Sequence, residues 1–264
     1  MRDYSIVLAA DLPSPEEVLS VIKKVGIIVD GVKLAVATLL EAGTDIIKRT
    51  RDLTEDRPIL ADLKIADIGF QSASGWDGTN AKIIGSLEGT GVTHVTVHGF
   101  PGPLSVAEAA GRARDAGIGV LLLPLMSHAG AGLFFSCPTD RFQVEEQSSA
   151  AGLDVTFPEG LGCEDVTEAI LLLGEALEVA GYIGPATRPG DLERYRALTE
   201  RPIWCPGFGR QDRLGRNLEE QFRDWAGIVG PASAAIVGSA IFKAADPAAA
   251  ASEIAEFRDR ATGG

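Results

Sequence analysis

The chain is poor in residues that staple or ligate: three cysteines, three histidines and two methionines among 264 residues. Cys137, Cys163 and Cys205 form no C-x-x-C pair and no histidine spacing suggests zinc, so reduced thiols and no structural metal are expected. Positive charge is scarce too. Against 37 Asp and Glu stand only 24 Lys and Arg, and the net charge of −13 repels a nucleic-acid backbone or an anionic membrane at long range. An anionic substrate therefore needs a local basic cluster. No apolar run approaches the roughly 20 residues of a bilayer span, and Met1-Arg2-Asp3-Tyr4 leads within two residues into a candidate core strand. That start predicts a cytoplasmic protein without a signal peptide.

What is present is ordinary globular composition, 45% hydrophobic and 23% charged. A chain of this length buries roughly 70–75% of its unfolded surface and needs no staple. Short aliphatic runs recur, each followed by a stretch of helical character, which is the mark of βαβ units and a parallel sheet. Eight strands are expected, at Ser5–Ala10, Ile28–Lys33, Pro58–Lys64, Val92–His98, Ile118–Pro124, Gly181–Pro185, Pro202–Cys205 and Ser233–Gly238. Ser14–Val25, Pro103–Ala116, Glu164–Val179, Pro189–Thr199 and Pro247–Arg260 start on Ser, Pro or acidic residues, as helices do. The pattern predicts an α/β fold, a (β/α)₈ TIM barrel forming one domain over residues 1–264. A doubly wound sheet is the rival, but the first strand runs into Ala10-Asp11-Leu12-Pro13 where G-x-G-x-x-G would stand. Two connections are overlong and read as insertions: Gly69–Gly78 after strand three, which contains Trp76, and Gly130–Gly162 after strand five.

In such a barrel the C-terminal strand ends form the catalytic mouth. Asp11 closes strand one, Lys33 strand two, Asp62-Leu63-Lys64 strand three with Asp67 a turn further on, and His98 strand four; Met126-Ser127-His128 follows strand five. Two residues apart on a strand, Asp62 and Lys64 share a face. For an arbitrary Asp-x-Lys, a solvated pair is the simpler explanation. Here two lysines end adjacent apolar strands, which is costly unless carboxylates accompany them. Lys33, Asp62, Lys64 and Asp67 sum to zero, and alternating sign keeps each group ionised. Such an array suits the expulsion of an anion followed by protonation of a carbanion. His98 and His128 sit in Gly/Pro-flanked turns and read as structural, and Arg188 before Pro189 as a pairing residue at a helix start.

The run Asp62-Leu63-Lys64-Ile65-Ala66-Asp67-Ile68 resembles the D-x-K-x-x-D signature of the orotidine 5′-monophosphate decarboxylase family. Val97–Gly102, Met126–His128, Gly184–Pro189, Pro206–Gly209 and Ile236–Gly238 resemble the archaeal type of that family in order and spacing. The resemblance implies a cofactor-free, metal-free decarboxylation of orotidine 5′-monophosphate. Asp62 would face the substrate carboxylate, Lys64 would protonate C6, and Lys33 and Asp11 would meet the ribose. Asp67 would reach in from the second subunit of a homodimer, with Ile68 and Thr79 beside it. Ser127 would bond the pyrimidine, while Pro206, Gln211 and the Gly238 backbone would line the phosphate end. The family places arginine where this chain has Ser239, so Arg210 or Arg213 is a candidate substitute. The Gly69–Gly78 insertion sets Thr79 further from Ile68 than the family pattern does. Two alternatives remain: a Mg²⁺-dependent sugar-phosphate decarboxylase or hexulose-phosphate synthase, which would carry glutamate where Lys33 stands, and a non-catalytic nucleotide-phosphate binding barrel.

Overall fold

Proline and small polar residues set where the helices begin. Ser14, Asp165 and Asp246 each accept a hydrogen bond from a backbone amide of the following turn, and Asn217 and Glu220 cap each other reciprocally. Pro15, Pro103, Pro189 and Pro247 occupy first-turn positions whose amides have no helical acceptor. A computed structural model describes residues 4–70, 77–155, 157, 159–209 and 214–263. In it the strands are β1 (Tyr4–Ala9), β2 (Gly31–Ala35), β3 (Ile59–Ile65), β4 (His94–His98), β5 (Gly119–Leu123), β6 (Gly181–Ile183), β7 (Ile203–Pro206) and β8 (Ser233–Val237). All pair in parallel and in sequence order, and β8 returns to β1, closing the barrel expected from the sequence.

Around it lie α1 (Pro15–Val25), α2 (Val36–Ala42), α3 (Asp45–Thr54), α4 (Thr79–Gly85), α5 (Pro103–Asp115) and, within the second insertion, α6 (Gly132–Phe135) and α7 (Arg141–Ala150). The outer layer continues with α8 (Val166–Ala176), α9 (Pro189–Leu198), α10 (Leu218–Val229), α11 (Ser239–Phe242) and α12 (Pro247–Thr262). None of the described helices is long and apolar enough to cross a membrane.

Strand parity divides the core in two. Val7, Leu60, Leu121, Trp204 and Ile236 pack together inside the barrel, whereas their neighbours Ile6, Leu8, Ile59, Leu122, Cys205 and Val237 belong to the larger cluster beneath the helices. Fully burying each large aliphatic side chain contributes about 1.5–3 kcal/mol, so these two layers are the fold's main source of stability. Burial pushes the Cys205 thiol up to about 12 and the Cys163 thiol up to about 11, which keeps both protonated.

Two elements depart from the sequence pattern. The second strand was expected over Ile28–Lys33, but the Ile28 and Val29 amides both bond back to Val25 O, at 2.8 and 3.0 Å, and so extend the turn that ends α1. Asp30 then accepts from Ile6 N at 2.9 Å and pairs with Arg258, anchoring the chain before β2 starts at Gly31. Lys33 therefore lies in mid-strand, opposite Ala9 of β1, and deeper than a strand-end residue. The second departure is α7, which buries only Ser148 and so shows no apolar stripe in the sequence. The insertion is tied down instead by a bridge between Pro138 and Asp165 and by a small cluster of Phe157, Cys163, Ala169 and Leu172.

His94 and His98 lie on the inward face of β4 with Thr96 between them. Burial lowers the His94 imidazole from 6.5 to about 4, and it packs on Trp204 with ring centroids 4.9 Å apart. A base whose pKa is depressed on folding binds its proton in the unfolded chain first, so stability is full above pH 6.5 and falls as pH drops toward 4, by up to about 3 kcal/mol. Urea unfolding at a series of pH values should show this decline, and His94→Gln should reduce its slope. His98, also lowered to about 4, accounts for a second such contribution. An unchanged slope in His94→Gln would show that the folded and unfolded chains bind the His94 proton equally well.

Candidate active site

A cavity of ≈ 320 Å³ opens at the C-terminal ends of the strands. Asp11, Lys33, Asp62, Lys64, Ser127, Pro206, Gly238 and Ser239 all line it, so eight positions expected from the sequence converge. Within it the charges alternate. Lys33 Nζ donates to Asp11 Oδ1 at 3.0 Å and to Asp62 Oδ2 at 3.2 Å, and Lys64 Nζ donates to that same Asp62 oxygen at 2.8 Å. The other oxygen, Asp62 Oδ1, accepts from Thr96 Oγ1 at 2.9 Å. The Lys33 and Asp62 side chains are 9% and 12% exposed against 38% for Lys64, so the tight centre of the array is buried and Lys64 faces the opening.

Burial is the largest single influence on Asp62 and pushes its carboxyl up. The charges of Lys33 and Lys64, with hydrogen bonds from Lys64 and Thr96, outweigh it and hold the group below its usual 3.8. For Lys33 burial likewise acts first, pulling the ammonium down, and Asp62 and Asp11 together raise it above 10.5. Both remain ionised at neutral pH.

Asp62 and Lys64 share the cavity through an irregularity. Ala61 pairs with Val95 and Ile65 with Val97, so β3 advances from 61 to 65 while β4 advances only from 95 to 97. The extra residues leave the ladder, as often happens beside active sites. Lys64 takes φ +50°, a left-handed conformation that costs a non-glycine residue roughly 1–2 kcal/mol. Its amide, displaced from the ladder, donates to Thr96 Oγ1 at 2.8 Å.

Thr96 was not singled out in the sequence, although its parity with His98 placed it on the inner face. Asn80 was missed as well: fully buried, it accepts from Asp67 N at 3.1 Å and donates to Asp67 O at 3.1 Å. Asp67, Ile68 and Thr79 do not line the cavity of their own chain. The Asp67 carboxylate accepts from Ile68 N at 2.7 Å, Ile68 is 67% exposed, and Thr79 begins α4 on the surface. Gln211, Arg210, Arg213 and Trp76 lie outside the described residues.

At the opposite side of the cavity Gly207 adopts φ +113°, which only glycine tolerates comfortably, and so brings bare backbone to the wall. Gln221 fixes this loop by accepting from Gly209 N at 2.8 Å and donating to Arg216 O at 2.9 Å. Among the described lining residues the cations are Lys33 and Lys64 alone. His98 packs against Phe100 at 5.1 Å and burial holds it neutral, Arg188 pairs with Asp191 at 2.5 Å, and His128 is exposed.

Comparison with known proteins gives a consistent result. The curated orotidine 5′-phosphate decarboxylase of Methanosarcina mazei is 30% identical over 257 residues, covering 97% of this chain and 95% of the relative. That of Methanocaldococcus jannaschii is 26% identical over 255 residues, with 97% and 99% covered. The crystal structure of the M. jannaschii enzyme complexed with inhibitor BMP superposes with a TM-score of 0.74 at 25% identity, covering 97% of this chain and 98% of that one. The Pyrococcus horikoshii structure gives 0.69 at 27%, with 96% and 98% covered. The family model for "Orotidine 5'-phosphate decarboxylase / HUMPS family" matches residues 4–254. A match that begins in the first strand and ends in the last helix takes in every strand of the barrel, and the chain belongs to that family.

Proposed function

We propose that this chain converts orotidine 5′-monophosphate to uridine 5′-monophosphate and CO₂, the last step of de novo pyrimidine nucleotide synthesis, as a cytoplasmic homodimer. The observation that carries this reading is the Lys64 ammonium held 2.8 Å from Asp62 in a cavity where Lys33 bonds the same carboxylate oxygen at 3.2 Å. The Mg²⁺-dependent sister activities and the non-catalytic barrel receive no such support, since two lysines clamp the carboxylate a metal would need.

With its carboxylate seated beside Asp62, the substrate meets a like charge. At about 4 Å and an effective dielectric near 20 the repulsion is roughly 4 kcal/mol, and it disappears as CO₂ leaves. The C6–carboxyl bond breaks and its electron pair stays on C6. Lys64 stabilises that developing charge and then supplies the proton that completes the C6–H bond. Being 38% exposed, its amine recovers a proton from water. Lys33, braced by Asp11, faces the ribose hydroxyls, Ser127 the pyrimidine, and the backbone at Pro206 and Gly238 with the Ser239 hydroxyl the phosphate.

The second copy supplies Asp67, Ile68 and Thr79. In support, Asp67 is anchored through Asn80 but turned away from its own cavity, beside exposed Ile68 and Phe70.

Loss of orotidine 5′-monophosphate absorbance should be catalysed by the wild type and should be insensitive to EDTA. Lys64→Ala should lower kcat about a hundredfold or more. Comparable activity in Lys64→Ala would remove Lys64 as proton donor, and abolition by EDTA would favour the Mg²⁺-dependent sister chemistry. The shared site has its own test. Lys64→Ala and Asp67→Asn, each inactive alone, should regain about a quarter of wild-type activity when mixed and allowed to exchange subunits, because half the dimers then hold one intact site. No recovery in exchanged dimers would place Asp67 outside the partner's site.

A further inference from the structure

We propose that Thr96 is a positioning residue of this active site, its one hydroxyl setting the placement of Asp62 and of Lys64 together. The inference rests on the decarboxylase reading for its activity test and on geometry alone for the rest. The hydroxyl proton goes to Asp62 Oδ1 at 2.9 Å, and the hydroxyl oxygen accepts the Lys64 amide at 2.8 Å. A hydroxyl has one proton and two lone pairs, so both bonds form at once and neither competes with the other.

The consequence follows from the bulge in β3. Where the ladder between Ala61 and Ile65 loses register, the Lys64 amide has no strand partner, and Thr96 stands in for the missing backbone carbonyl. That bond holds Lys64 in its left-handed backbone conformation, from which the ammonium returns to Asp62. The bond to Oδ1 meanwhile fixes the carboxylate plane, leaving Oδ2 to both lysines. Thr96 is itself 1% exposed and β-branched, so its χ1 is restricted and the hydroxyl stays aimed. It touches the groups that touch substrate.

A valine keeps the shape and β-branching and replaces the hydroxyl with a methyl group; a serine keeps the hydroxyl and removes a methyl group. Thr96→Val should lower kcat about tenfold or more with KM changed much less, and Thr96→Ser should restore most of it. Thr96→Ala deletes the hydroxyl by a different change of volume and should follow Thr96→Val. The pH profile separates positioning from mere support. Asp62 is faced by Lys33 from β2, by Lys64 on its own strand, by His98 from β4, and, through Lys33, by Asp11 after β1. With those groups unaltered, loss of the Thr96 bond should move the acid limb of kcat/KM to higher pH in Thr96→Val and not in Thr96→Ser. In substrate-free protein the Lys64 amide should exchange with solvent at least about tenfold faster in Thr96→Val than in wild type or Thr96→Ser. Wild-type kinetics and an unmoved acid limb in both Thr96→Val and Thr96→Ala would overturn the proposal. Should the wild type itself fail to turn over, the decarboxylase reading falls, and unchanged Lys64 exchange in Thr96→Val would overturn the positioning role independently.

Discussion

One carboxylate, nearly sealed from water, is shared between two ammonium groups. Asp62 accepts from Lys33 at 3.2 Å, from Lys64 at 2.8 Å and from Thr96 at 2.9 Å, and each partner comes with its own strand. Desolvation alone would push the carboxyl toward its neutral form, and buried Lys33 without a counter-charge would tend to lose its proton. The group is stable as a set and costly in pieces, since removing one member strands a buried charge on another. That interdependence also suits the chemistry. In the proposed reaction a rigid, ionised carboxylate would repel the incoming carboxylate, and an ammonium already in place would meet the charge left behind.

The barrel makes the set possible by parity. Inward positions on most strands carry Val7, Leu60, Leu121 or Ile236, which fill the lumen. At the same depth or one layer above, β2, β3 and β4 turn inward Lys33, Asp62 and Thr96. The transition from apolar packing to charge takes place within two residues of a single strand, from Leu60 to Asp62. Because Lys33 sits in mid-strand, the centre of the array lies below the rim, and the bulge lifts Lys64 back toward the opening. With Asp11 counted beside Lys33, the two lysines and two aspartates of the array carry no net charge, which matters in a chain at −13. A phosphorylated, carboxylated substrate enters against the overall field and is received by groups already balanced among themselves.

Much of this was legible in the chain. Eight β-branched runs separated by capped amphipathic stretches specify the barrel, because alternation of strand and helix admits few closed arrangements. Asp62 and Lys64 stood out as charges ending an apolar strand. The boundary of β2 was not legible, because Ile28 and Val29 read as strand residues by composition, yet they bond back to Val25 in a turn followed by Asp30, which is paired with Arg258 more than two hundred residues away. Thr96 escaped notice because threonine is unremarkable in a strand; its role depends on a slip in the register of the neighbouring strand, which no local pattern encodes. Helix α7 has hardly an apolar face to read. Asp67, Ile68 and Thr79 were recognisable by motif, yet within this chain they lie outside the cavity that the other expected residues line.

Selective ¹³C labelling of aspartate carboxyls, with Asp62 assigned by comparison with Asp62→Asn, allows the central carboxylate to be titrated directly in the substrate-free enzyme. If two ammonium groups hold it ionised, its resonance should show no protonation step at or above 3.8 while the fold persists. A midpoint above that value would mean that burial prevails over the lysines, and the charge array described here would not exist at working pH.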